Sequence, residues 1–382
     1  MTTTKVPSRM RAAILEHFNE PYKLIYMDTP LARYLEGHDI LVQVLAASYC
    51  HTDAVFALGS MGHSTPRVGC HEFAGQVVAL GPQVEVESLG LTVGSKVGVP
   101  GRGYRPCGEC KECIIAGAHP KARAKRYSPF CPHMKNLGFT ADGGFQQYAI
   151  VDSRQVAPLP ECMTAVQAAP LMCAGLTVWA ALELARNCHG ARKVAIIGAG
   201  GGLGHIGVQF AAHLGMDVLA VDASDAPLSL LSTVIKSLPS SMSNRVSIHD
   251  ARRLNVERAL QAVGENRAVE GELAGVDAVV LLPDSQAAFD TGMKLLRNHG
   301  TMVVVSFPKN GFNLDAKDVV FRDIRVVGSL VGYNHQLRDM LAFADANAIN
   351  VSIRTFALDD IQSLVQESHR GEGGKLVVDM SL

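Results

Sequence analysis

Residues 193–207 read KVAIIGAGGGLGHIG. The first five form a short apolar run of strand type, a glycine-rich stretch follows, and from Leu203 onward apolar residues recur at helical spacing. A strand, a glycine turn and a helix in that order bring backbone N–H groups and a helix N-terminus to one point, where they can hold a pyrophosphate. Counted from Gly198, the first glycine after the strand, G-x-G-x-x-G is not met, because its third glycine would fall on Leu203. G-x-x-G-x-x-G fits instead, on Gly198, Gly201 and Gly204, with Gly202 and Leu203 inside the turn. The next strand-like run, DVLAVD (217–222), ends on Asp222, eighteen residues after Gly204, where a carboxylate would bind the ribose hydroxyls of a dinucleotide. A 2′-phosphate would meet a like charge there, and DASDAPLS (222–229) offers no Lys or Arg, so NAD(H) is favoured over NADP(H).

Outward from this stretch the same rhythm continues. VWAALELARNC (178–188) is helical in period, and RVSIHD (245–250), VDAVVLL (276–282), GTMVVVSF (300–307) and IRVVGSLV (324–331) read as strands with helix-length spacers between them. Continuous apolar strands alternating with helices imply a parallel sheet covered on both faces. Upstream, ILVQVLAAS (40–48), FAGQVVALG (73–81) and GSKVGVPG (94–101) are short strands bounded by turn residues, the pattern of a β-barrel unit. A helix near 335–346 and a final KLVVDM are expected to pack back onto that first unit. A chain of 382 residues accommodates two such domains. The formal net charge of −1 steers the chain towards neither nucleic acid nor an anionic membrane. No stretch approaches the roughly 18 apolar residues of a membrane span, and MTTTKVPSRMRAAILEHF lacks a secretory pattern, so a cytoplasmic protein is expected. Nine cysteines, clustered and odd in number, read as metal ligands or catalytic groups before disulfides.

CGECKEC (107–113) is the densest cluster. Cys107, Cys110 and Cys113 offer three thiolates, and Cys131 in SPFCPHM is the candidate fourth. Four thiolates close a tetrahedral Zn²⁺ site that has no position for substrate. The alternative is a set of unligated core or redox cysteines. The intervening AHPKARAKRY (118–127) carries four basic side chains and is expected to be a solvated face, otherwise a subunit contact.

A metal with chemistry would need other ligands. SYCHTD presents Cys50, GCHEFAG presents His71 and APLMCAGLT presents Cys173. Two thiolates and one imidazole leave a fourth zinc position open, as in the Cys₂His set of alcohol dehydrogenase. Taken singly, Cys173 reads as a small core residue and His71 as an ordinary satisfied histidine.

The motifs CHTD, GCHE, CGECKEC…CPH, DGGFQQYA, LMCAGLTV, GAGGGLG and VGSLVG occur in the order found in zinc-dependent alcohol dehydrogenases of the medium-chain dehydrogenase/reductase superfamily, and the chain resembles the yeast and fungal type over nearly its whole length. The resemblance implies an α/β protein with a GroES-like β-barrel catalytic domain over 1–160, completed by 333–382 and carrying a structural zinc lobe at about 102–135, plus a doubly wound Rossmann coenzyme domain over 161–332. It implies two zinc ions per chain, one catalytic on Cys50, His71 and Cys173, one structural on Cys107, Cys110, Cys113 and Cys131. It further implies that Glu72 can approach the metal, that Asp53 orients the zinc histidine, and that Thr52 bonds the substrate oxygen. His51 would contact the cofactor pyrophosphate, Thr177 would pack behind the nicotinamide, and Lys375, in place of the usual arginine, would neutralise phosphate without a bidentate fork. A homo-oligomer, dimer or tetramer, is expected.

The sequence departs from that family in three further places. Where many relatives have a histidine that passes the proton on from Thr52 and the nicotinamide ribose, this chain has Val55, which leaves His51 or water to complete the path. Its only tryptophan is Trp179, so the tryptophans that narrow the ethanol pocket in yeast-type enzymes are missing, which predicts a pocket for something larger. Cys70 replaces the glycine that usually precedes the zinc histidine, a packing role being expected. Cys162 and Cys188 are expected in the core. The function read from all this is zinc-dependent hydride transfer between NAD(H) and a primary or secondary alcohol, aldehyde or ketone. The alternatives are a zinc-free reductase of activated C=C bonds on the same fold, and a redox-inactive nucleotide- and zinc-binding scaffold.

Overall fold

The computed structural model describes residues 6–118 and 127–382. The basic stretch expected to be a solvated face lies, apart from its end residues, outside the described residues, as does the side chain of Cys188. Two sheet systems organise the rest.

The first is built from β1 (Arg9–Leu15), β2 (Lys23–Asp28), β3 (Asp39–Tyr49), β4 (Arg67–Val68), β5 (Glu72–Leu80), β6 (Lys96–Pro100), β7 (Arg102–Tyr104), β8 (Lys135–Asn136), β9 (Tyr148–Asp152) and β10 (Ala157–Pro158). β3, β5 and β6 pair antiparallel in sequence order, and β9 pairs with the first half of β3. Their inward residues, among them Val42, Val44, Phe73, Val77 and Val97, form one apolar cluster with Phe145 from the segment before β9.

The second sheet is wholly parallel, with β11 (Lys193–Ile197), β12 (Asp217–Asp222), β13 (Val246–Asp250), β14 (Val276–Leu281), β15 (Leu296–Val304) and β16 (Arg325–Gly328) in the order β13-β12-β11-β14-β15-β16. Its central strands β11, β12 and β14 are buried on both faces, which is why they read as unbroken apolar runs. The order turns around β11 and β14, and the crevice above their carboxyl ends is where such sheets take ligands.

The chain then returns. β17 (Ile353–Phe356) and β18 (Lys375–Asp379) complete the first sheet, β18 lying antiparallel against the second half of β3 and parallel to β17. The helix expected near 335–346 spans Asn334–Ala346. It packs chiefly on the helix Ala174–His189 of the parallel-sheet unit, where Phe343 lies 4.9 Å from Trp179. One expectation is corrected here. Cys162 is exposed, not in the core, because it sits on a turn between β10 and the helix Ala165–Ala168, and Met163 takes the inward place.

Candidate metal centre and nucleotide cleft

The segment SYCHTD turns a corner. β3 ends at Tyr49 and a helix, His51–Ala57, begins at once. Asp53 stands at its third position, and its Oδ2 accepts the Cys50 N–H at 2.9 Å, satisfying a donor the helix start would leave orphaned. Its Oδ1 accepts from His71 Nδ1 at 2.9 Å. One carboxylate therefore fixes both the corner that carries Cys50 and the ring of His71. That bond leaves Nε2 to face Cys173 Sγ, 3.2 Å away. The face of the imidazole is covered by Phe139, 4.9 Å between centroids.

Cys173 enters from a third stretch, just ahead of the helix Ala174–His189. The donor atoms of Cys50, His71 and Cys173 all lie within 4.8 Å of one another and all three residues are buried. The thiol of Cys50 is held well below its ordinary range, because Cys173 hydrogen-bonds the thiolate and Lys375 adds an opposite charge; Cys173 is pushed up correspondingly. His71 is raised because Asp53 outweighs the effect of burial. Two sulfurs and an imidazole buried side by side form a soft donor set that matches zinc.

Close backbone packing explains the glycines around it. A Cβ on Gly143 would stand 1.9 Å from the Cys70 carbonyl oxygen, one on Gly144 2.6 Å from the Phe73 ring, and one on Gly101 2.4 Å from His71 Cβ. Cys70 itself has φ 75°, a left-handed conformation that costs a residue with a side chain about 1–2 kcal/mol. Its Sγ is buried 3.3 Å from the carbonyl oxygens of Ser48 and Glu72, so its packing role is confirmed by contact.

Beside these three candidate ligands lies a charged layer. Glu72 accepts from Ser48 Oγ at 2.8 Å and from the Ala174 N–H at 3.2 Å, the latter at the positive end of a helix. Lys375 Nζ donates to Glu72 Oε1 and, at 3.0 Å, to the Tyr49 carbonyl. Burial raises the Glu72 carboxyl and Lys375 opposes that; the charge of Glu72 in turn raises the Lys375 ammonium against its own burial. Lys375 was expected to face a phosphate, and its stem does pass beneath the glycine turn, since a Cβ on Gly202 would lie 3.1 Å from Lys375 Cδ. Its ammonium, however, is turned towards Glu72. Neither this partner nor Ser48 was found by the sequence reading; the position of Ser48, at the head of SYCHTD, was the available signal.

The remaining candidates fall around this core. Thr52 Oγ1 is 3.7 Å from Cys50 Sγ, and Thr177 Oγ1 is 4.0 Å from Cys173 Sγ. His51 is exposed and Val55 half-buried on the same helix. In the glycine turn, Gly198 has φ 80°, and a Cβ on Gly204 would lie 2.2 Å from the Gly198 carbonyl oxygen. Among the described residues, the N–H groups of Gly202 and Leu203 have no acceptor, a vacancy of the kind an anion fills. Asp222 is held by the N–H groups of Gly200, Ala223 and Ser224 at 2.9, 2.8 and 3.2 Å. His205 and Gln209, one turn apart on the helix that opens the site, bind the backbone of 350–352. Nε2 of His205 accepts from the Ser352 N–H at 3.2 Å, and Gln209 bonds both polar groups of Asn350. No sequence signal pointed to this pair.

Cys107, Cys110, Cys113 and Cys131 form a second cluster with all four sulfurs within 4.8 Å. Backbone N–H groups lower Cys107 to about 6, while burial lifts Cys113 to about 12. Within the lobe, Arg102 Nε donates to the Pro129 carbonyl at 2.7 Å.

The sequence profile of the alcohol dehydrogenase GroES-like domain matches residues 36–161, and that of the zinc-binding dehydrogenase domain matches 202–346. Alcohol dehydrogenase 1 of Neurospora crassa is 30% identical over 387 aligned positions that cover 100% of both chains. The chain belongs to the zinc-dependent alcohol dehydrogenases of the medium-chain superfamily. It is accordingly an oxidoreductase of alcohols and carbonyl compounds. An alcohol dehydrogenase of Geobacillus stearothermophilus is 29% identical over 97% of this chain and 98% of its own. The solved alcohol dehydrogenase of Aeropyrum pernix superposes with a TM-score of 0.79 at 26% identity, covering 97% of this chain and 99% of that one. Among the described residues no single helix is long and apolar enough to cross a membrane.

Proposed function

We propose that this dehydrogenase transfers hydride between NAD(H) and an alcohol, aldehyde or ketone larger than ethanol, with one zinc on Cys50, His71 and Cys173 and a second on Cys107, Cys110, Cys113 and Cys131. The observation that carries the reading is the convergence of two sulfurs and one ring nitrogen, from three distant stretches, within 4.8 Å of one another. When bound, zinc supplies a Lewis acid to the substrate oxygen and NAD(H) supplies or accepts the hydride.

The chain's own residues do the rest. Asp53 holds His71 in the tautomer that leaves Nε2 a lone pair. Thr52, beside Cys50, is placed to hold the substrate's hydroxyl proton. Gly202 and Leu203 would donate N–H groups to the pyrophosphate, with the stem of Lys375 beneath them and His51 on the exposed side. Thr177 would back the nicotinamide, and Asp222 would receive the ribose hydroxyls. The Trp179 ring packs against Phe210 and Phe343 in the core of the parallel-sheet unit, so it narrows no pocket at the metal centre. An intact Cys₂His set weighs against a zinc-free C=C reductase and against a redox-inactive scaffold.

We also propose self-association through β16. It is a free sheet edge, and the helix before it, Ala316–Arg322, exposes Val320 and Phe321 at 70% and 78%. Sedimentation of Phe321→Asp beside the parent protein tests this.

The reading as a whole is tested by metal analysis together with a screen of medium-length, branched and aromatic carbonyl compounds, using NADH and NADPH side by side. About two zinc per chain and NADH oxidation by substrates larger than acetaldehyde are expected. Zinc confined to the four-cysteine cluster, with no turnover, would overturn it.

A further inference from the structure

The sequence around Asp222 contains no cation, yet the fold brings one there. β12 and β13 are parallel neighbours, and Asp222 and Asp250 are register partners at their carboxyl ends. Two residues beyond Asp250 comes Arg252. Its guanidinium receives Asp250 in a fork, Nε to Oδ1 at 2.9 Å and Nη2 to Oδ2 at 2.8 Å. Nη2 also donates to Asp225 Oδ1 at 2.5 Å. Asp225 opens the helix that begins three residues after Asp222, and the Asp222 carboxylate faces the same turn through the N–H groups of Ala223 and Ser224. The ribose end of the cleft thus has two carboxylates on one guanidinium, with Asp222 at the neighbouring strand end.

We propose that Arg252 is the specificity-determining cation of this cleft, kept from a 2′-phosphorylated adenosine by Asp225 and Asp250. This rests on the NAD(H) reading given above. Arginine is the side chain whose donor fork matches a phosphate, and a nearby arginine is how such sheets accept the 2′-phosphate of NADP. Here its Nε and Nη2 are already taken. Asp250 orients the guanidinium from behind and caps the turn that bears it, accepting the Arg252 N–H at 2.9 Å. Asp225, with its side chain 87% exposed, holds only the outer nitrogen and is the lock that can be removed without touching the core. Asp222 repels a 2′-phosphate directly, and Asp225 keeps occupied the one group that could offset the repulsion. Selectivity is therefore enforced twice, once by a charge and once by withholding its counter-charge.

The test compares NADH and NADPH affinities, by nicotinamide fluorescence, in the full-length zinc-loaded protein and its variants. Asp225→Ser alone is expected to tighten NADPH binding severalfold, and Asp222→Ser with Asp225→Ser by about a hundredfold, roughly two charge-assisted contacts. Adding Arg252→Ala to that pair is expected to remove about tenfold or more of the gain. Adding Arg253→Ala, on the same turn, is expected to leave the gain in place. An Arg252→Ala triple variant that binds NADPH as tightly as the pair would overturn the assignment, as would a gain that vanishes with Arg253 instead. If the pair does not fold, Asp225→Ser with and without Arg252→Ala gives the same comparison at an exposed site. A parent protein that binds neither NADH nor NADPH would sink the nucleotide reading itself, a result distinct from either of these.

Discussion

Lys375 and Glu72, 303 residues apart, form an ion pair that is almost wholly buried beside the candidate metal ligands. Removing one partner strands the other's charge. Glu72→Gln or Lys375→Met should each destabilise the protein by about 3–5 kcal/mol, and the two together by less than the sum of the singles. Urea denaturation of the four proteins of the cycle measures this; additive losses would show that the pair is not coupled.

Asp53→Asn keeps the side chain's shape but removes the charge that holds His71. Catalytic zinc should then bind about 10–100-fold more weakly. Competition with a chromogenic chelator reads the loss, and the zinc of the four-cysteine cluster should stay in place as the internal control.

Cys131→Ser should behave in the opposite sense. One zinc per chain is lost from the lobe at 102–135, the melting temperature falls, and the metal bound by Cys50, His71 and Cys173 remains. An unchanged metal content would show that three thiolates suffice.

His205 gives the stability a pH dependence of known sign. Its burial lowers it to about 4 in the folded protein, against an ordinary value of 6.5. The unfolded chain therefore binds the proton more readily, and stability is lost as pH falls from 6.5 towards 4, by up to about 3 kcal/mol. In His205→Gln that segment of the profile should flatten relative to the parent. Because other groups titrate there, the difference between the two curves, measured by urea denaturation, is the quantity to compare.

Val55→His would place an imidazole one turn along the helix from Thr52, the residue proposed to hold the substrate's proton. If proton release limits turnover, kcat should rise by up to about tenfold and its pH profile should shift. An identical pH profile would show that water already carries the proton at no cost.

What the sequence made legible follows from the range of the interactions involved. The strands 193–197 and 217–222 announce themselves because both faces are buried and every residue must be apolar. β2, with Lys23, Leu24, Tyr26 and Asp28 exposed, carries no such pattern and was not anticipated. At the site, cysteine and histidine stand out because few residue types bind zinc, and the resemblance to the family's motifs singled out Cys50, His71 and Cys173 before their meeting was seen. The partners of Lys375 and Arg252 could not. Each depends on which strand lies beside which: β18 beside β3 in one case, β13 beside β12 in the other. Cys162 was misplaced for a local reason, since a one-residue shift on a turn decides whether it or Met163 points inward.

The position of β18 also sets an order of events during synthesis. It is the last strand of its sheet to leave the ribosome, yet it belongs between β3 and β17. Until it arrives, half of β3 has an open edge and Glu72 has no ammonium beside it. A nascent or truncated chain stopped short of β18 therefore leaves an unpaired margin open to association with other chains. The charge balance beside Cys50, His71 and Cys173 is complete only once this stretch has been made.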